Sequence, residues 1–261
     1  MQFKVIQLML SLAVHISGGY AQHFENIVNG QNTRLGQFPH QVSMQQASSH
    51  FCGGSIIDAM HILTAAHCVF DENDRMLRPE SIRIVTGVID YRAANYENTF
   101  PVAMIIPHRN YHSFALMNDI AIVKLARPIP FNSLQKPIRL PTKNTFPGTV
   151  ATASGWGAVW GDRPETAGPL PKYLQQLGMI AISRGECARM HGNQIFPGQL
   201  CATRTRGTGI CFGDSGGPLI SNGEIIGIAS FVKGGCASQY PDVFTHVYLY
   251  LPWIQEVLAR Y

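Results

Sequence analysis

The sequence predicts an all-β protein of short strands, closed into barrels or stacked as sandwiches, with one helix at its C-terminal end. Three observations predict it. Charged residues make up only 14% of the chain, while 25 Gly and 16 Pro punctuate it, a balance that suits strands and loops better than helices. Runs enriched in β-branched residues recur at residues 81–86 (SIRIVT), 120–125 (IAIVKL), 150–153, 224–231 (EIIGIASF) and 242–247 (DVFTHV). Between them stand turn formers such as Arg127-Pro128, Phe146-Pro147-Gly148 and Lys233-Gly234-Gly235.

The helix is predicted from Tyr250, because apolar residues then recur at Ile254, Val257, Leu258 and Tyr261, one face of a 3.6-residue period, with Pro252 tolerated in the first turn. Residues 127–141, with three prolines inside the ends, read as a connector between two halves. At 261 residues and 46% apolar content the chain can bury a full core without a metal or partner. A formal charge of +4 supplies no basic stripe, so nucleic acid is excluded as a partner.

The first 21 residues read as a signal peptide. Lys4 gives the positive start, residues 5–16 a short apolar run diluted by Gln7, Ser11 and His15, and Gly19 and Ala21 the small residues before cleavage. That run is too short to span a bilayer, and no other segment is apolar enough, so a secreted, extracellular protein with no membrane partner is expected. Six cysteines in an exported chain then read as disulfides: Cys52, Cys68, Cys187, Cys201, Cys211 and Cys236. Spacing alone leaves their pairing open. No CxxC pair occurs, and His108 and His112 sit in a stretch with Pro and Asn, so no metal is expected.

Three motifs carry chemistry, in the order His, Asp, Ser: Thr64-Ala65-Ala66-His67-Cys68, Asn118-Asp119-Ile120-Ala121 and Gly213-Asp214-Ser215-Gly216-Gly217-Pro218. A serine hydroxyl is a poor nucleophile until a base removes its proton as it attacks. Histidine suits that task near neutral pH, and a carboxylate can hold its tautomer and stabilise the imidazolium. Glycines beside the serine let backbone N–H groups approach an oxyanion, with Gly213 and Ser215 as the candidate donors. Singly, each motif has a structural reading: a His beside a disulfide, an Asn-Asp turn, a glycine turn. Their order in one exported chain points to nucleophilic catalysis.

With IVNG at Ile27, CGGS at Cys52 and SGWG at Ser154, these motifs resemble the trypsin/chymotrypsin family over nearly all of residues 27–261. The resemblance implies two six-stranded antiparallel β-barrels of the chymotrypsin-like kind, with His67 and Asp119 from the first half and Ser215 from the second. It implies a serine endopeptidase that works without a cofactor through an acyl-enzyme. It also implies the pairings Cys52–Cys68, Cys187–Cys201 and Cys211–Cys236, each closing a loop worth about 3 kcal/mol. Residues 22–26 would be a propeptide, and cleavage before Ile27 would free an ammonium to pair with Asp214. The family usually has Arg or Lys before that bond; this chain has Asn26, so the activating protease is not a trypsin and stays unidentified. Protein or peptide substrates and serine protease inhibitors are the expected partners of a monomer.

The resemblance places the substrate pocket at Gly209, Ile210, Ser230, Phe231, Val232 and Asp242. Gly209 stands where trypsins carry Asp, and Asp242 where the back wall usually has Gly, an arrangement similar to that of brachyurins. Mixed preference for basic and large apolar side chains is the expectation; Val232, which narrows the mouth, favours the chymotrypsin- or elastase-like apolar alternative. Asp242 could instead be a surface turn residue after Pro241. Val88 follows Gly87 where trypsins have a calcium-binding Glu, so no calcium is expected, and no N-glycosylation acceptor occurs. A non-catalytic binding relative would usually have lost one of the three motif residues, and this chain keeps all of them. A structural disulfide-rich protein leaves the motifs unexplained.

Overall fold

The computed structural model describes Val28 and residues 30–261; the expected signal peptide, the propeptide and Ile27 lie outside the described residues. Strand β1 (Gln31–Asn32) is followed by six strands of the first half: β2 (Gln41–Gln46), β3 (Ser49–Ile56), β4 (His61–Thr64), β5 (Arg83–Thr86), β6 (Thr99–Pro107) and β7 (Ala121–Leu125). They close into an antiparallel barrel in the order β2-β3-β4-β7-β6-β5, with β5 returning to β2. The second half contributes β8 (Val150–Gly155), β9 (Gln175–Ile182), helix α1 (Arg184–His191), β10 (Gln199–Thr203), β11 (Pro218–Ser221), β12 (Glu224–Phe231) and β13 (Asp242–His246). Its ladder runs β8-β9-β10-β13-β12-β11 and closes where β11 pairs β8, giving the second six-stranded barrel. Barrels, rather than sandwiches, are thus the outcome, and closure leaves few free strand edges.

Alternation explains each interior. Along β9, Leu177, Met179 and Ala181 are buried while Gly178 and Ile180 face out. The first barrel is filled by Val42, Met44, Ile62, Ile84, Phe100 and Ile122; the second by Ala151, Ala153, Leu177, Leu219 and Phe244. Residues 127–141 lie between β7 and β8. Ile129 and Ile138 donate to Ala59 and Ile56 in the first half, and the Arg139 carbonyl then accepts from Ile225 of the second.

Helix α2 (Leu251–Arg260) matches the expected C-terminal helix, with Ile254 and Val257 buried against the first-barrel cluster. Ten residues make a marginal helix alone, so this packing holds it. Tyr261, expected on the same face, lies past the last helical residue and is 39% exposed. The runs named from the sequence account for β5, β7, β8, β12 and β13; strands β1–β4, β6 and β9–β11 and helix α1 escaped the sequence reading. Strand β6 contains Pro101 and Pro107, which argue against a strand. Helix α1 is short and polar, yet it carries a legible start: the Ser183 side chain accepts from the Glu186 N–H, and Gly192 ends the helix in the left-handed region at φ 69°.

The three disulfides pair as the resemblance implied: Cys52–Cys68, Cys187–Cys201 and Cys211–Cys236. The second fastens α1 to β10. Phe100, fully buried under the Arg127 guanidinium at 4.2 Å, tests the packing of the first barrel. In a Ser215→Ala background, which blocks self-digestion, Phe100→Ala should lower the unfolding free energy by about 3–5 kcal/mol. A loss below about 1 kcal/mol in denaturant titration would contradict this account of the core.

Candidate active site

Strand β4 runs into a 3-10 turn at Ala66–Val69, and this turn presents His67. The Cys52–Cys68 disulfide ties the turn to β3. Asp119 stands just before β7, the strand next to β4 in the same barrel, where Thr64 pairs with Ala121. Asn118 before it adopts φ 53°, a conformation Asn tolerates better than most residues. Its side chain is held there by the Asn110 carbonyl at 2.7 Å and the Tyr250 hydroxyl at 3.1 Å. The turn drives Asp119 inward, where it is 1% exposed.

His67 Nδ1 lies 2.8 Å from Asp119 Oδ2, and the His67 backbone N–H donates to Oδ1 at 2.9 Å. A carboxylate accepts only, so Nδ1 carries the proton and Nε2 is left as a free base. Burial pushes the Asp119 carboxyl up, but the His67 charge and the hydrogen bonds from His67 and Ser230 outweigh it and leave it below its ordinary value. For His67, burial acts downward, and the Asp119 charge and hydrogen bond reverse that and raise it.

Ser215 lies in the loop between β10 and β11, which docks against the first barrel. The Gly53 N–H donates to the Ser215 carbonyl at 2.7 Å, and a side chain at Gly216 would collide with Thr64 and the Gly53 carbonyl. The Ser215 loop and the His67 segment therefore share one seam. No hydrogen bond joins Ser215 Oγ to His67 among the described residues, and His67 Nε2 has Cys68 Sγ at 3.8 Å. The row is closed between Asp119 and His67 and open between His67 and Ser215, as catalytic contacts without substrate often are.

The carbonyls of residues 211–215 are all engaged, and this aims the N–H groups between them. The Phe212 carbonyl accepts from Ala158 at 2.7 Å, and the Asp214 carbonyl from Gly217 at 2.9 Å. A trans peptide points C=O and N–H in opposite directions, so the N–H groups of Gly213 and Ser215 turn away from these partners. Neither has a hydrogen-bond acceptor among the described residues. Gly213 adopts φ 101°, which a side chain would strain.

Two residues not singled out for these roles in the sequence complete the frame. His50 Nε2 binds the Gly213 carbonyl at 2.9 Å and its Nδ1 meets Ser43 Oγ at 2.8 Å. A carbonyl only accepts, so Nε2–H donates, and the Ser43 hydroxyl donates to Nδ1 of the neutral ring. Burial pushes His50 down to about 4, against the raising effect of the Gly213 bond, so it stays neutral. Ser230, expected in the pocket, donates instead to Asp119 Oδ2 at 2.6 Å.

Asp214 is 2% exposed and accepts from Gly157 N at 2.7 Å and Cys211 N at 2.9 Å. Side chains at Gly155 or Gly157 would overlap its carboxylate, which is why the SGWG segment carries glycines there. Burial pushes its carboxyl up to about 6 despite the two donors. Its expected partner, Ile27, lies outside the described residues.

Of the residues expected in the pocket, Gly209, Ile210 and Asp242 meet directly. Asp242 opens β13, is 5% exposed and accepts from Ile210 N at 2.8 Å; it is not a surface turn residue. A side chain at Gly209 would come within 2.8 Å of Asp242 Oδ2, so glycine there makes room for the carboxylate. Val232 packs against the cluster that includes Ile210. Phe231 points the other way, by strand alternation, and packs against His191 with ring centroids 6.1 Å apart. The one grouping of metal-ligand types among the described residues, Cys52, His67 and Cys68, has both sulfurs tied in a disulfide.

A base held by a carboxylate, a hydroxyl on the same seam and two aimed N–H groups equip this site for acyl transfer. Comparisons with known proteins agree. The family model described as Trypsin matches residues 27–254. Chymotrypsin-2 of Vespa crabro is 35% identical over 88% of this chain and 99% of its own length. Trypsin alpha of Drosophila melanogaster is 33% identical over 95% of this chain and 96% of its own. Brachyurin of Leptuca pugilator is 35% identical over 88% and 97% respectively. The chain belongs to the trypsin family and is a serine endopeptidase.

Proposed function

We propose that the protein is exported as an inactive precursor and, once cleaved before Ile27, hydrolyses protein substrates with Ser215, His67 and Asp119. The observation that carries this reading is the 2.8 Å bond from His67 to Asp119, which fixes the tautomer with Nε2 free. Ser215 Oγ attacks the scissile carbonyl as His67 Nε2 takes its proton. The new C–O⁻ is met by the N–H groups of Gly213 and Ser215, each such donor worth about 3 kcal/mol. His67 then returns the proton to the leaving amine, which leaves Ser215 acylated. Water, deprotonated by the same ring, attacks the ester; as the acyl C–O bond breaks, the ring returns that proton to Ser215 Oγ and the acid product leaves.

Three disulfides and the N-terminal signal pattern support export. Activation rests on Asp214, a buried carboxylate with backbone donors and no cationic partner among the described residues. Gln31 pairs with Gln176, the neighbouring Gln175 pairs with Gly155, and Gly155 abuts Asp214. Ile27 stands four positions before Gln31, about 14 Å when extended, so a freed ammonium has the reach. That ion pair would hold the loop whose N–H groups meet the oxyanion. The activator must accept Asn26 before the cut bond, and serine protease inhibitors are the natural antagonists of a monomer with this site.

For the primary pocket we favour mixed acceptance of basic and large apolar side chains, because the Asp242 carboxylate lies against Gly209 at the base. The apolar-only alternative draws on Val232.

Two outcomes test this. Ser215→Ala should reduce turnover by about a millionfold while leaving the unfolding midpoint essentially unchanged, and a serine-directed fluorophosphonate should label only the unsubstituted protein. Retained turnover or labelling of the variant would remove Ser215 from the role. Cleavage between Asn26 and Ile27 should switch labelling on, and Asp214→Asn should abolish that gain. Equal labelling before and after cleavage would overturn the precursor reading.

A further inference from the structure

We infer that Asp242 makes the choice of substrate depend on pH: with the carboxyl protonated the pocket selects apolar side chains, and with it ionised the pocket also takes arginine and lysine. This rests on the reading of residues 209–210 and 242 as the primary pocket.

The geometry is that of a charge waiting for a partner. Asp242 is nearly buried, and its one hydrogen bond among the described residues is the 2.8 Å contact from Ile210 N. It forms no ion pair among those residues. A buried carboxylate with a single donor is costly to ionise. No element packed around it gives the carboxylate a cation among the described residues. The 211–217 loop offers Asp214, a second carboxylate whose charge opposes ionisation of Asp242. From the 203–208 loop, Arg204 and Arg206 line a cavity of about 140 Å³ shared with Asp242 and Tyr240, but both are exposed, and Arg204 donates to the Gly178 carbonyl at 3.2 Å. Lys233 donates to the His191 carbonyl at 3.0 Å. His191, bonded to the Pro241 carbonyl, is pushed down by burial and is neutral.

The consequence has a definite sign. Burial first, and Asp214 second, push the Asp242 carboxyl up to about 8, against the Ile210 bond. Below that pH the empty pocket is neutral and receives leucine or phenylalanine without stranding a charge. Above it the carboxylate stands ionised, and the guanidinium or ammonium of a substrate supplies the missing cation. Gly209 is part of the device, since any side chain there would meet Asp242 Oδ2.

The test uses the activated enzyme and two peptides that differ only in Arg or Leu before the cut bond, with kcat/KM measured from pH 5.5 to 10. Arginine keeps its charge throughout. The ratio of the two values cancels the titration of His67, which both substrates share. The Arg/Leu ratio should climb about 50-fold between pH 6 and pH 8 and level off above about pH 9. In kcat for the Arg peptide the step should move to lower pH, because the bound cation favours the carboxylate. Asp242→Asn, which can still accept from Ile210 N, should give a low and flat ratio. A wild-type ratio that does not change with pH, with both peptides cleaved, overturns the pH dependence and leaves mixed acceptance standing. No cleavage of the Arg peptide at any pH overturns mixed acceptance as well. Should the Asn variant not fold, the wild-type ratio decides alone.

Discussion

A carboxylate buried where the two barrels meet is the constraint on which this molecule depends. Asp119 takes two hydrogen bonds from His67 of the first barrel and one from the Ser230 hydroxyl of the second. Its main-chain carbonyl accepts from the Thr245 hydroxyl, also of the second barrel, at 2.6 Å. A charge in that position without partners costs several kcal/mol, so the barrels must dock in the register that supplies them. The same bonds fix the imidazole's tautomer and plane. Stability of the seam and readiness of the base are one arrangement.

The serine loop obeys a related rule. The N–H groups of Gly213 and Ser215 are left without acceptors among the described residues while the carbonyls beside them are occupied: Phe212, Gly213, Asp214 and Ser215 all have their carbonyls engaged, by Ala158, His50, Gly217 and Gly53. Buried backbone groups need partners, and here partners on one side of each peptide expose N–H groups on the other. Asp214 and Asp242 add two further buried carboxylates with few donors. On the readings proposed above, each is a site where a cation from outside the described fold would change the state of the enzyme: a chain terminus in one case, a substrate side chain in the other.

Much of this was legible in the chain, and the reason is local. His67, Asp119 and Ser215 stand in short motifs because their chemistry needs particular neighbours, and strands such as Glu224–Phe231 carry their alternation and β-branching openly. What was not legible depends on distant approach. His50 meets Gly213 across 163 residues of sequence and Ser230 meets Asp119 across 111, and neither has a local signature for that role. Ser230 could be assigned only to the pocket, where its neighbour Val232 belongs. The prolines of β6 hid a strand that the barrel tolerates. The Ser183-x-x-Glu186 start of α1 was present, but its polar run gave no apolar face to continue it. The burial of Asp242 could be read only by resemblance, since Pro241 beside it suits a surface turn equally well.

The most direct test of the central claim replaces the buried carboxylate by its neutral isostere. Asp119→Asn keeps the size and the Ser230 contact but lets the imidazole settle in the wrong tautomer. The account expects kcat to fall by about ten-thousandfold near neutral pH with the fold intact. A variant that folds and turns over within about tenfold of the parent would contradict it.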